Sequence, residues 1–130
     1  MITFYLDTRS GVAPYLQLVQ QVRRAMLLGL LREGDQLPTV KAVVSSIAIN
    51  PNTVSKAYRE LEHEGLVVAR AGVGTYVAKT IDAVSAPSQE SLRQSLVRWM
   101  TEARSAGLKD ESIDAIFQEC LRATGKVVMS

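Results

Sequence analysis

Apolar residues fall along this chain in runs of two different periods. From Pro14 to about Leu28, Leu18, Val22, Ala25 and Met26 line one side of a helix, Val19 adds to it, and Gly29 stops it. Val40, Val43, Val44 and Ile47 repeat the helical spacing, as do Val54, Ala57, Tyr58 and Leu61. Then the period changes. Leu66-Val67-Val68 and Thr75-Tyr76-Val77 are short β-prone runs on either side of Arg70-Ala71-Gly72-Val73-Gly74, which predicts a hairpin with a glycine-rich tip. Near the C-terminus two further helical stripes appear: Leu92, Leu96, Trp99, Met100 and Ala103, with Val97 at the edge, then Ile113, Ile116, Phe117, Cys120 and Leu121. Ahead of all this, Ile2 to Leu6 is a β-prone run, read as an extended arm that packs on its own chain or on a partner subunit.

The punctuation between these runs is specific. Leu37-Pro38 ends an extended entry, because proline and its preceding residue both resist helix. Thr39 caps the second helix, and Ala48-Ile49 makes the turn after it. Asn50 caps the third helix with Pro51 at its first position. Gly65 sits where that helix needs a left-handed residue to end. Ala78 to Ser88 is small and polar and reads as a linker. Ala106-Gly107 breaks the fourth helix, Asp110 or a neighbour caps the fifth, and Thr124-Gly125 ends it. The expected fold is therefore mainly α with one small β-hairpin: a winged helix-turn-helix over 1–78, a linker over 79–88 and a two-helix region over 89–130.

The polar side of the third helix carries the candidate chemistry. Asn52, Thr53 and Ser55 are short hydrogen-bonding side chains on its first turn; asparagine can pair bidentately with adenine, and Ser or Thr can reach base edges or phosphates. Lys56 and Arg59 lie further along, where a helix in a groove meets phosphates. Glu60, Glu62 and Glu64 would repel DNA and are expected to face away. Taken alone, this helix is most simply an amphipathic surface helix. A hairpin following directly on a two-helix unit shifts the reading to a DNA-binding wing, whose glycines allow close approach to a backbone.

The stretch LPTVKAVVSSIAINPNTVSKAYRELEHEGLVVARAGVGTYV, residues 37 to 77, resembles along its whole length the DNA-binding domain of the GntR family of bacterial transcription regulators. INPNTVSKAYRELEHEGL is similar to the short YtrA-type branch in particular. The chain departs from the family pattern at several points. The family commonly has Arg where Lys41 stands, an acidic residue where Ala42 stands and Gly where Ala48 stands; lysine keeps the charge but lacks the planar fork for a bidentate guanine contact. The wing often carries basic residues at the positions of Ala71 and Val73, which leaves Arg70 as its cation here. The resemblance implies a dimeric regulator, more often a repressor, on a palindromic double-stranded operator. The DNA-contact candidates are Lys41, Asn50, Asn52, Thr53, Ser55, Lys56 and Arg59, with Arg70, Gly72, Gly74 and Thr75 in the wing. Base readout is assigned to Asn52, Thr53 and Ser55, and phosphate anchoring to Lys41, Lys56 and Arg59.

Two short helices cannot enclose an independent core, so the stripes of the tail need a cover. A second subunit fits that need, as the resemblance also implies, with Leu92, Leu96, Trp99, Met100, Ile113, Ile116, Phe117 and Leu121 as the interface candidates; core within the same chain is the alternative for each. The tail is too short for a dedicated effector pocket, which leaves a small-molecule site at the subunit interface open but not indicated.

Composition adds little to this. The formal charge is only +2, yet nine basic residues face six acidic ones up to Lys79, against six and seven beyond, so the excess lies in the DNA-binding part. No run is long and apolar enough for a membrane span, and the N-terminus lacks the pattern of a signal peptide. The single cysteine, Cys120, excludes an internal disulfide and suits the cytoplasm. His63 is the only histidine and is expected at the surface, whereas Cys120 is expected to be buried. No metal-ligand spacing, nucleophile motif or P-loop is present, so neither an enzyme nor a cofactor is expected. The rival reading is a winged helix that binds a protein partner, to which the modest charge and apolar wing tip lend themselves.

Overall fold

The computed structural model describes residues 2–79 and 86–129, with side-chain detail for 2–79 and 89–125. Its elements are α1 (Pro14–Leu27), α2 (Val40–Ile47), α3 (Pro51–His63), β1 (Val67–Arg70), β2 (Gly74–Val77), α4 (Ala86–Ser105) and α5 (Asp110–Met129). Contacts divide the chain into two units, Met1–Ala86 and Pro87–Ser130.

In the first unit α3 is the centre. Val54, Ala57 and Leu61 are wholly buried and Tyr58 nearly so, packed with Leu18, Val22 and Met26 of α1, Val43 of α2, and Val67 and Val77 of the hairpin. Burying each large aliphatic side chain stabilises the fold by roughly 1.5–3 kcal/mol, so α3 is held by its inner face and its outer face is free to vary. The Tyr58 hydroxyl donates to Pro38 O at 2.6 Å, which ties α3 to the residue that leads into α2. Burial pushes this phenol well above its usual pKa, so it stays a donor at any ordinary pH.

The caps form as the sequence predicts. Thr39 Oγ1 accepts from Ala42 N at 3.1 Å, and Asn50 Oδ1 accepts from Asn52 N at 2.8 Å. Ala48 closes α2 in the left-handed region at φ 50°, a conformation that costs an alanine roughly 1–2 kcal/mol.

The arm packs on its own chain. Phe4 is part of the core, and two glutamines on α1 bind the arm's backbone as a strand would. Gln21 Nε2 donates to Tyr5 O at 2.8 Å while its Oε1 accepts from Tyr5 N at 3.1 Å. Gln17 does the same for Asp7, at 3.0 and 2.9 Å. Both amides are buried and satisfied.

The hairpin pairs Val67 with Val77 through to Arg70 with Gly74. The turn is therefore only Ala71-Gly72-Val73, shorter than the five-residue tip predicted, because Gly72 takes φ 74° and lets the chain reverse at once. Residues 34–37 add a third edge: Gly34 N donates to Val77 O, Val77 N to Asp35 O and Leu37 N to Thr75 O, all at 2.8–2.9 Å. Gln36 bridges Tyr76, and a Cβ on Gly74, at φ 144°, would lie 2.6 Å from Gln36 Nε2.

In the second unit α4 starts at Ala86, three residues before the predicted boundary; residues 80–85 of the expected linker lie outside the described residues. Gly107, at φ 98°, breaks α4 from α5, and Leu108 N donates to Ala103 O at 3.0 Å to close the end. Asp110 opens α5 as its first residue and pairs with Arg104 at 3.0 Å. The predicted end at Thr124-Gly125 is wrong: α5 continues through Gly125 to Met129. A lone glycine costs a helix only about 1 kcal/mol, and no proline follows to stop it. Among the described residues no helix is long and apolar enough to cross a membrane.

Candidate nucleic-acid interface

Because its inner face is fixed by Val54, Ala57, Tyr58 and Leu61, α3 has one outward ridge: Asn52, Lys56 and Arg59, spaced i, i+4, i+7 and all exposed. Thr53 and Ser55 flank this ridge on either side and are half-buried. The free N–H groups of the first turn and the helix dipole favour an anion at this end. Asn50 is exposed too; its side-chain oxygen accepts the cap bond from Asn52 N and so holds the first turn of the ridge, while its NH2 and the second lone pair of that oxygen can still meet a ligand.

The acidic residues are partly removed from the field. Glu62 Oε2 accepts from Ala69 N at 2.9 Å and pins β1 to α3. Glu64 pairs with Arg23 of α1. Glu60 stands exposed one turn beyond Lys56.

Two of the candidate DNA-contact cations are not loose. Lys56 Nζ lies 4.0 Å from the centre of the Tyr15 ring, and the Arg70 guanidinium 5.0 Å from the centre of the Tyr76 ring. Lys41 is exposed on the first turn of α2. Between the start of α2 and the wing lies an open hollow of about 400 Å³, lined by Thr39 and the strand ends and turn from Ala69 to Thr75. Gly72, Gly74 and half-buried Thr75 thus share one concave surface with Arg70, whereas Val73 is 60% exposed and offers no charge.

On the helical tail, Leu92, Leu96, Trp99, Ile116, Phe117 and Leu121 are all exposed and Met100 half-exposed. Ile113 differs from the other interface candidates: at 4% exposure it is already buried within its own chain. Between the helices runs a cleft of about 370 Å³ lined by Leu96, Met100, Ile113 and Phe117, with Arg104, Asp110 and Asp114 at its edge. Cys120 is exposed and free rather than buried. His63 is exposed, and among the described residues no group of His, Cys, Asp or Glu could hold a metal ion.

Two glutamines and two tyrosines were missed by the sequence reasoning. Gln17 and Gln21 stand four apart beside the apolar stripe of α1, a signal for a bonded strand at that surface. Tyr15 carried no signal, since its partner is 41 residues away on another helix.

A helix-turn-helix with a wing and an outward polar and basic ridge on its second helix is the geometry of a DNA-binding module. Residues 14–77 match the family described as bacterial regulatory proteins, gntR family. Over 115 residues, 88% of each chain, the sequence is 34% identical to the HTH-type transcriptional repressor YtrA of Bacillus subtilis (strain 168). Among solved structures it is similar to a transcriptional antiterminator from Listeria monocytogenes EGD-e, 32% identical with a TM-score of 0.60, covering 91% of this chain and 89% of that one. It is also similar to YtrA from Sulfolobus acidocaldarius, a GntR-family transcription factor, 29% identical with a TM-score of 0.52 over 73% of this chain and 94% of that one. The protein belongs to the gntR family, in its YtrA-type branch, and is not an enzyme.

Proposed function

We propose that the protein is a sequence-specific repressor that binds a palindromic operator as a homodimer. The observation that carries this reading is the exposed ridge of Asn52, Lys56 and Arg59 on a helix whose other face is locked in the core. Asn52, with Ser55 and Thr53 beside it, reads base edges in the major groove, and Lys56, Arg59 and Lys41 anchor phosphates. Arg70 and the backbone at Gly72 and Gly74 meet the phosphates next to the groove. One such helix reads only a few base pairs; a two-fold pair, about one helical turn of DNA apart, reads a palindrome. The apolar surface of α4 and α5, which a two-helix hairpin cannot bury by itself, supports a second copy as the cover. Repression is supported by the printed name of the Bacillus relative.

The test compares two substitutions on the sequence footprinted in the protein's own upstream DNA. Asn52→Ala is expected to lower discrimination between operator and mismatched DNA by about 1–3 kcal/mol. Lys56→Ala is expected to weaken binding to every sequence alike and to reduce the salt slope by about two, one for each subunit of the dimer. Equal behaviour of the two variants on all DNA contradicts the assignment of roles. The exposed Val73 at the wing tip favours a second reading, a protein partner, and footprints by neither variant nor wild type would favour it.

A further inference from the structure

Tyr15 is the second residue of α1, and its ring is partly buried against the core. The ammonium of Lys56 lies over that ring at 4.0 Å, well inside the range in which a cation is drawn to an aromatic face. The lysine comes from α3, so the contact joins two helices and depends on their packing. A free lysine side chain has four rotatable bonds, and ordering it on a phosphate costs entropy at the moment of binding. A ring that already holds the ammonium removes part of that cost. On the wing Arg70 stands 5.0 Å over Tyr76, a second cation held in the same way.

We propose that Tyr15 is a positioning residue for DNA binding, holding the Lys56 ammonium at the phosphate-facing edge of the recognition helix before DNA arrives, with Tyr76 doing the same for Arg70. The inference rests on the DNA-binding reading for its consequence and on the ring contact for its mechanism. It gives the recognition helix a cation already set in place, in a protein whose wing positions Ala71 and Val73 supply no charge. The hydroxyl of Tyr15 has no part in it, so phenylalanine serves equally well.

The experiment is a double-mutant cycle on operator affinity. Tyr15→Leu keeps apolar volume against the core and is expected to weaken binding about three-fold, the size of an exposed cation–ring contact. Tyr15→Phe is expected to bind like the wild type. In a Lys56→Ala background Tyr15→Leu is expected to change nothing, whereas in an Arg70→Ala background the three-fold loss persists. An equal loss in both backgrounds overturns the proposal, and so does a Tyr15→Phe variant as weak as Tyr15→Leu, which would make the hydroxyl the contact. NMR on the wild type decides the contact without DNA and without any variant that could unfold: the Lys56 side-chain methylene protons nearest the ammonium are expected upfield, shifted by the ring. Ordinary lysine shifts there overturn the proposal, whatever the DNA result. Absence of wild-type DNA binding with shifted Lys56 protons would instead strike the functional reading.

Discussion

Replacing Phe117 by glutamate is expected to turn the protein into a monomer and to lower operator affinity about 100-fold or more, while the winged module stays folded. Phe117 is 37% exposed on α5 and lines the cleft with Leu96 and Met100. In the proposed dimer a partner covers this surface, and a further carboxylate there would have to be desolvated beside Asp110 and Asp114, with Arg104, the cation that lines the cleft, already paired to Asp110. The monomer can still place one α3 in one half-site. It loses the second binding event, which in the dimer is intramolecular and raises affinity by roughly 100- to 10,000-fold without any new contact. Sedimentation velocity reports the assembly state, and fluorescence anisotropy on a labelled operator reports the affinity. A variant that stays dimeric, or a monomer that binds as tightly as the wild type, contradicts the role given to the tail.

The second large effect concerns stability. Leu61→Ala is expected to destabilise the first unit by about 2–5 kcal/mol. Leu61 is fully buried on α3 among residues of α1 and the hairpin, and these elements meet it from different directions, so the site cannot collapse easily around a smaller side chain. Since a domain of this size is stable by only about 5–15 kcal/mol, the loss would unfold a sizeable fraction at growth temperature. Chemical denaturation followed by far-UV circular dichroism measures it. The one tryptophan, Trp99, is on α4 in the other unit, so its fluorescence would report the wrong transition. A loss below about 1 kcal/mol would mean that α3 is not the element on which the module is built.

How much of this was legible beforehand depended on how local the cause is. The start of α3 could be read because Asn50-Pro51 is a cap and a first helical residue in adjacent positions, and the structure places both as expected. The buried face of that helix followed from spacing alone. The strand register did not, because it turns on the positive φ of Gly72 and Gly74 and on the third edge from Gly34 to Leu37, a contact distant in sequence. The arm was legible as a β-prone run but its destination was not, since glutamine side chains rather than backbone receive it. Gly125 looked like a stop; in a helix with no proline after it, it is merely a weak residue. In the tail the stripes were correct as periodicity, yet periodicity cannot separate Ile113, which meets its own chain, from Phe117, which stays exposed four residues later. Cys120 was misread for the same reason.

The most direct test of the central claim is equilibrium binding of the intact protein to its operator and to a random duplex of equal length across a salt series. Lys41, Lys56, Arg59 and Arg70 from each of two subunits predict a slope of log K against log salt of about −4 to −7, with the operator preferred by roughly 1,000-fold or more at physiological salt. A slope near zero, or equal affinity for the two duplexes at every salt concentration, would contradict the account.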